Sequence, residues 1–287
     1  MRPSLLTLSL VILVTLAAPI LAPFDPMSTN AGEALQSPNS QNPLGTDLLG
    51  RDVLSRVLYG GQRTLGVASL ATMIAIVPGL ITGLMAGTLG SYVDWGIMVV
   101  VNSLLAIPPL VIALVILTLL GQGASQLAIA TGTAQIAVFA QVTRSATTAV
   151  RSAEYVQASR ALGATRFHST VRHILPNIRP TLNSYAGVVF AYSILNSAAL
   201  SFLGLGGDPG VPDWGTILAD GRLAFQIAPW VAIVPGLMIM ITVMAVNTLA
   251  DHLAEHHWFG GVWQNLPLDK HIGQLMRIIH NGGDSRT

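Results

Sequence analysis

Apolar residues in this chain fall into long runs, not into the alternation of a half-buried strand or the stripe of a soluble helix. A helix crossing roughly 30 Å of hydrocarbon needs about 20 apolar residues. Six segments meet that need: residues 4–22, 65–89, 96–120, 126–143, 182–203 and 231–250. The fourth does so narrowly, with 18 residues diluted by Thr131, Gly132, Thr133 and Gln135. Arg2 followed by an apolar run ending near Ala22 also fits a signal peptide, but 19 residues exceed a usual signal core. The pattern predicts an all-α, polytopic membrane protein of six transmembrane helices. Residues 1–22 form the first helix, 23–64 a connector, 65–251 a five-helix core and 252–287 a tail.

Polar stretches separate these runs. Residues 23–42 read as an exposed linker rich in Pro, Ser, Asn and Gln. Residues 44–61 read as an amphipathic helix on the outer leaflet, with Thr46 or Asp47 as its cap, or else as a plain extracellular connector. In the second span Gly79, Gly83 and Gly87 share one face, the spacing at which helix backbones approach closely in lipid. Pro78, the Pro108–Pro109 pair and Pro235 interrupt three spans and predict kinks. Between the last two spans, Gly and Pro dominate up to a short helix expected from about Trp214.

Composition sharpens this picture. The 287 residues are 52% hydrophobic and 9% charged, against about a quarter charged in soluble domains. The absence of cysteine excludes disulfides, thiol catalysis and Cys-based metal sites. The net charge of +1 points to no nucleic acid. With six spans both termini share one side, which holds ten basic residues against six acids, while the other holds four against seven. The positive-inside rule places the termini, and the basic segment 144–180, in the cytoplasm.

None of the six cores contains Asp, Glu, Lys, Arg or His, whereas proton- and ion-coupled carriers usually place an ionisable residue at membrane depth. Nor is there a phosphate-binding G-x-x-x-x-G-K-[ST] loop, since the single lysine, Lys270, lies in DKHIG. If transport is active, its energy comes from another polypeptide. Segment 144–180 is the face available to receive it, with six of the fourteen Lys+Arg and one acid. It predicts a helix with Tyr155, Ala158 and Leu162 on one face and a Glu154–Arg151 pair. A break at Gly163 follows, then a second helix capped by Thr165 with a Phe167, Val171, Ile174 stripe, stopped at Pro176. Such an L-shaped plug suits a groove on a cytoplasmic protein. The plain alternative is a solvated basic loop resting on anionic lipid.

These residues resemble a known family. Residues 154–163, EYVQASRALG, and 172–177, RHILPN, are similar to the EAA loop of ABC importer permeases in its peptide-permease form. GTDLLGRDVLSR at 45–56, SFLGLG at 201–206, and PDWG at 212–215 with Gly221-Arg222 and Pro229-Trp230 match the same branch. Together they resemble the C-type membrane subunit of dipeptide, oligopeptide and nickel importers over about residues 4–251.

The resemblance implies the type I ABC importer permease fold and a heteromeric complex. Its parts are a second, homologous permease, two cytoplasmic ATPases carrying ATP and Mg, and an external binding protein. This chain itself would bind no cofactor. The coupling element would comprise Glu154, Gln157, Ala158, Ser159, Gly163, Ala164, Phe167, His173, Leu175 and Pro176. Gln157 stands where glutamate usually begins the triplet, and Ser159 replaces the second alanine.

The pathway is expected among the membrane's few polar groups: Asn102, Ser103, Gln135, Asn183, Tyr185, Tyr192, Ser193, Asn196 and Asn247. Each is as readily an interhelical hydrogen-bonding group. Docking of the binding protein is expected near Asp208, Asp213, Trp214 and Arg222. His252 and His256, at i and i+4 beside His257, have a metal-binding spacing, but polar-tail histidines are usually solvated and no metal is assigned. The competing readings are a nickel or metal-chelate importer and, in another class, an ATPase-independent carrier or channel.

Overall fold

The computed structural model of the chain describes residues 2–206 and 210–262. Among these the backbone is mostly helical, with a long irregular stretch at 22–52, and one β-bridge, Thr46 to Asp52, is the extended pairing present. The long apolar runs do become helices, with shifted bounds. The first breaks in two, α1 (Arg2–Leu16) and α2 (Ala18–Leu21), just ahead of Pro19.

α3 (Val53–Leu89) is a single helix of 37 residues, about 55 Å long at 1.5 Å per residue. It absorbs the segment expected to lie separately on a membrane surface. The apolar face of residues 53–61 is buried against protein, because Val53 and Val57 pack with Ile217, Ala228 and Val231. Asp52, not Thr46 or Asp47, caps it: the Asp52 carboxylate accepts from Ser55 N at 2.7 Å. The preceding linker stays mostly exposed, but its end is folded in: Asn42 is buried and its Nδ2 donates to Asp52 Oδ1 at 3.0 Å.

The run 96–120 is not one span. α4 (Ser91–Leu105) and α5 (Pro109–Leu120) meet at 88°. Pro109 disfavours the helical region at Pro108, and Pro108 does the same at Ile107, so two residues in succession leave the helix.

α6 (Ala124–Arg151) begins two residues before its apolar core and runs eight residues past it. Its buried face is small-residue rich, including Ala128, Ala130, Gly132, Ala134, Ala137 and Ala140. A Cβ on Gly83 of α3 would lie 2.5 Å from Ala140 O, and one on Gly132 would lie 2.5 Å from Ala71 O. The glycine row is therefore a packing seam, as its spacing predicts. Protein rather than lipid surrounds much of α6, which explains its weak hydropathy.

The basic segment supplies α7 (Glu154–Ala161) and α8 (Arg166–Ser169). It then passes through a π-turn, Thr170–Ile174, into α9 (Leu175–Phe202). Pro176 does not end the second helix as expected. It sits in the first turn of α9, where its missing N–H costs little, and the π-turn carries the chain through. α10 (Trp214–Leu223) and α11 (Trp230–Val262) complete the bundle. By length and composition Val53–Leu89, Arg166–Phe202 and Trp230–Leu253 can cross a membrane, and the bent α4–α5 pair adds a fourth.

Candidate functional site

The segment 144–180 forms an L of two arms. α6 ends at Ser152, and Gln157 Nε2 donates back to Ser152 O at 2.9 Å, closing the bend into α7. Gly163 has φ +96°, a conformation that only glycine adopts without strain. Thr165 caps the second arm by accepting from His168 N, as the sequence predicts.

Two faces of the L differ in burial. Val156 and Ile174 are fully buried in a cluster with Phe139, Ile178 and Leu182, which fixes the L to the bundle. Leu175 packs half-buried on the same cluster. The other face is bare: Leu162 is 90% and Phe167 79% exposed. The expected Phe167, Val171, Ile174 stripe is split, because the wider π-turn rotates Ile174 inward while Val171 stays exposed. Between the arms lies an open cleft of about 740 Å³ lined by Tyr155, Ala158, Ser159, Gly163, Ala164 and His173, among others. The His173 ring lies edge-on to Tyr155 and to His168, with centroids 6.3 and 6.2 Å apart. Glu154, Gln157 and Pro176 are exposed and do not line the cleft.

Arginines tie the L to the C-terminal end of α3. Arg151 Nη1 donates to Gly87 O at 2.9 Å, and Arg166 Nη1 donates to Leu89 O. These are the carbonyls a helix leaves unsatisfied at its end, where cations are favoured. Arg151 is thus engaged with α3, and no bond joins it to Glu154 as had been expected. Arg144 forks onto Asp94 at the start of α4, Nη2 to Oδ2 being 2.6 Å. Sequence reasoning counted these arginines as charge and missed these bonds, which only the packed turn between α3 and α4 creates.

The other end of α3 is held differently. Asp47 is fully buried and accepts from Arg51 Nε at 2.7 Å, Arg56 Nη1, Leu49 N and Arg51 N. The same two arginines reach Asp220 of α10 at 3.1 and 3.0 Å. Trp214 is fully buried and donates Nε1 to Val57 O at 3.0 Å. Asp213 caps α10 through Gly215 N and Thr216 N. Burial pushes its carboxyl above the ordinary 3.8, against the pull of its hydrogen bonds and of Arg63. Asp213 and Trp214 are thus internal fasteners with little surface for an incoming protein. Arg222 is exposed, over the Phe202 ring at 5.2 Å, and Asp208 lies outside the described residues.

The polar candidates of the core separate likewise. Gln135 and Ser193 are buried and bond each other at 2.8 Å, so they join α6 to α9. Tyr185 packs on Phe139. Asn102, Ser103, Tyr192 and Asn247 are exposed and Asn196 half-buried, on several helices. Asn183 opens into an apolar groove of about 790 Å³ between α1, α3, α9 and α11. The side chains of His256 and His257 lie outside the described residues.

The described residues form a helical bundle with apolar spans and a basic, two-armed loop at one end, part of whose apolar surface is bare. Residues 79–257 match the family described as "Binding-protein-dependent transport system inner membrane component", and the chain belongs to that family. The dipeptide transport system permease protein DppC of Alkalihalophilus pseudofirmus is 34% identical over 85% of this chain and 80% of the relative. The di/tripeptide permease DppC of Pseudomonas aeruginosa is 35% identical over 88% and 85%. The nickel transport permease NikC of Escherichia coli is 32% identical over 89% and 92%. In fold, the chain is similar to an inward-facing structure of the MetNI methionine ABC transporter. The TM-score is 0.56 at 18% identity, covering 70% of this chain and 95% of that one.

Proposed function

We propose that this chain is one half of the translocation pathway of a peptide importer in a prokaryotic inner membrane. A homologous permease supplies the other half, two cytoplasmic ATPases drive it, and an external binding protein delivers the ligand. Six spans with both termini in the cytoplasm put the 144–180 loop beside the ATPases and the α10 end outside. The relatives named for dipeptide transport support the substrate class. The nickel permease relative supports nickel as a second reading, and uptake of a labelled dipeptide against ⁶³Ni²⁺ separates the two.

One observation carries this reading: Leu162 and Phe167 are bare on an element whose Val156 and Ile174 are anchored in the core. A solvated loop has no reason to hold an apolar face rigidly away from its own bundle. A groove on an ATPase supplies the missing partner. Closure of the ATPase pair would move the L as a body, and Arg151 and Arg166 would pass that motion to α3. ATP shifts the equilibrium between inward- and outward-open packings only by favouring one of them. Ligand uptake by the reconstituted complex is the test. Gly163→Pro removes the positive-φ turn between the arms and is expected to abolish ATP-driven uptake; unaltered uptake would refute the coupling role.

A further inference from the structure

On the flank of the L away from the cleft, the last turn of α6 and the outer face of α7 border an open pocket of about 460 Å³. It is lined by Thr148, Arg151, Ser152, Gln157 and Arg160. No acid lines it. Arg151 uses one nitrogen on Gly87 O. Nε and Nη2 of Arg160 are buried with no partner, an expensive condition for a cation. Burial and the neighbouring charges of Arg151 and Arg166 push the Arg160 guanidinium below its ordinary pKa. The pocket therefore lacks a counter-ion.

We infer that this pocket binds the phosphate of an anionic phospholipid from the cytoplasmic leaflet. Thr148 lies five residues past the apolar core of α6, about 7 Å along a helix axis. The headgroup layer occupies about 5–8 Å on each side of the hydrocarbon. With the apolar core of α6 placed in the hydrocarbon, the pocket would open at phosphate depth, the layer to which arginine stems snorkel. At ~30 Å³ per water it holds about fifteen waters, room for a whole headgroup and far more than one protein carboxylate needs. A phosphate would satisfy the free Arg160 nitrogens in the bidentate way guanidinium favours. The lipid would brace the bend between α6 and α7, making coupling sensitive to the bilayer.

This inference rests on the cytoplasmic placement of the loop. It is tested on the assembled complex, purified through a tag on this chain, in nanodiscs of phosphatidylcholine with graded phosphatidylglycerol. Native mass spectrometry reads retained lipid alongside ATP-driven uptake. Arg160→Gln is expected to weaken phosphatidylglycerol retention about tenfold, the size of one charge-assisted bond. Gln157→Glu, which brings its own carboxylate into the pocket, is expected to do the same. Arg172→Gln, exposed outside the pocket, is expected to leave retention unchanged.

Wild-type retention by both pocket variants would overturn the inference. So would equal displacement by millimolar inorganic phosphate, which would make free phosphate the ligand. Loss of the ATPase from Arg160→Gln with lipid retention intact would assign the pocket to a partner's acid instead. Gly163→Pro keeps the two ideas apart, since it should stop uptake while leaving lipid bound.

Discussion

The two ends of α3 are fastened by the same residue type to opposite purpose. At its N-terminal end Arg56 is 2% exposed, bonded to a fully buried Asp47 and onward to Asp220. At its C-terminal end Arg151 and Arg166 reach only backbone carbonyls, and the element that carries them stays largely bare. A closed charge cluster makes α10 and α3 one body. An open arginine clasp leaves the outer face of the loop uncovered. Burial of the counter-ion, not the number of arginines, separates the two ends.

Variants can break this contrast. Arg56→Ala leaves Asp47 buried beside one arginine and is expected to cost about 3–5 kcal/mol, as loss of one partner from a buried pair does. Thermal unfolding in detergent reads it, and a shift no larger than for a surface arginine would remove the fastener. Trp214→Phe keeps most of the ring but drops the bond to Val57 O, which retains its partner within α3, for an expected loss of about 0.5–1.5 kcal/mol.

Asp213 probes the same end more gently. Its folded pKa lies above 3.8, so the folded chain holds that proton more tightly than the unfolded chain does. Its contribution is best below pH 3.8 and declines as pH rises through the folded value. Asp213→Asn, which keeps an acceptor for the cap, is therefore expected to be neutral or mildly stabilising at pH 7, while Asp213→Ala loses about 1 kcal/mol. A clear loss of melting temperature in Asp213→Asn would mean that the carboxylate charge itself holds α10.

The smallest stability effect is expected at the other end. Leu162→Ala and Phe167→Ala remove exposed side chains and should shift stability by less than about 0.5 kcal/mol. Their ATP-driven uptake should nevertheless fall severalfold, since a docked apolar side chain contributes on the order of 1 kcal/mol or more. Unfolding and uptake measured together decide it: equal losses in both would make these residues structural.

Much of the molecule follows from the chain read residue by residue. Runs of apolar residues require helices in a membrane, because the backbone must satisfy its own hydrogen bonds there. The glycine row at 79, 83 and 87 requires a close helix neighbour, and Gly163 with Thr165 requires a turn and a restart. All of these are local, and local pattern is what a sequence carries. Tertiary structure alone decided the rest. The 53–61 segment could have lain apart, and packing fused it into α3, while the Pro108–Pro109 pair predicted a bend in the 96–120 run but not its 88°. Asp47 could have been a cap, yet Arg51 and Arg56 converge on it and draw in Asp220 from more than 160 residues away. Trp214 could have faced a visiting protein, but Val57 O claimed its indole. Distant partners in a fold are chosen by shape and by the cost of leaving a buried polar group alone, and neither is written in the order of residues.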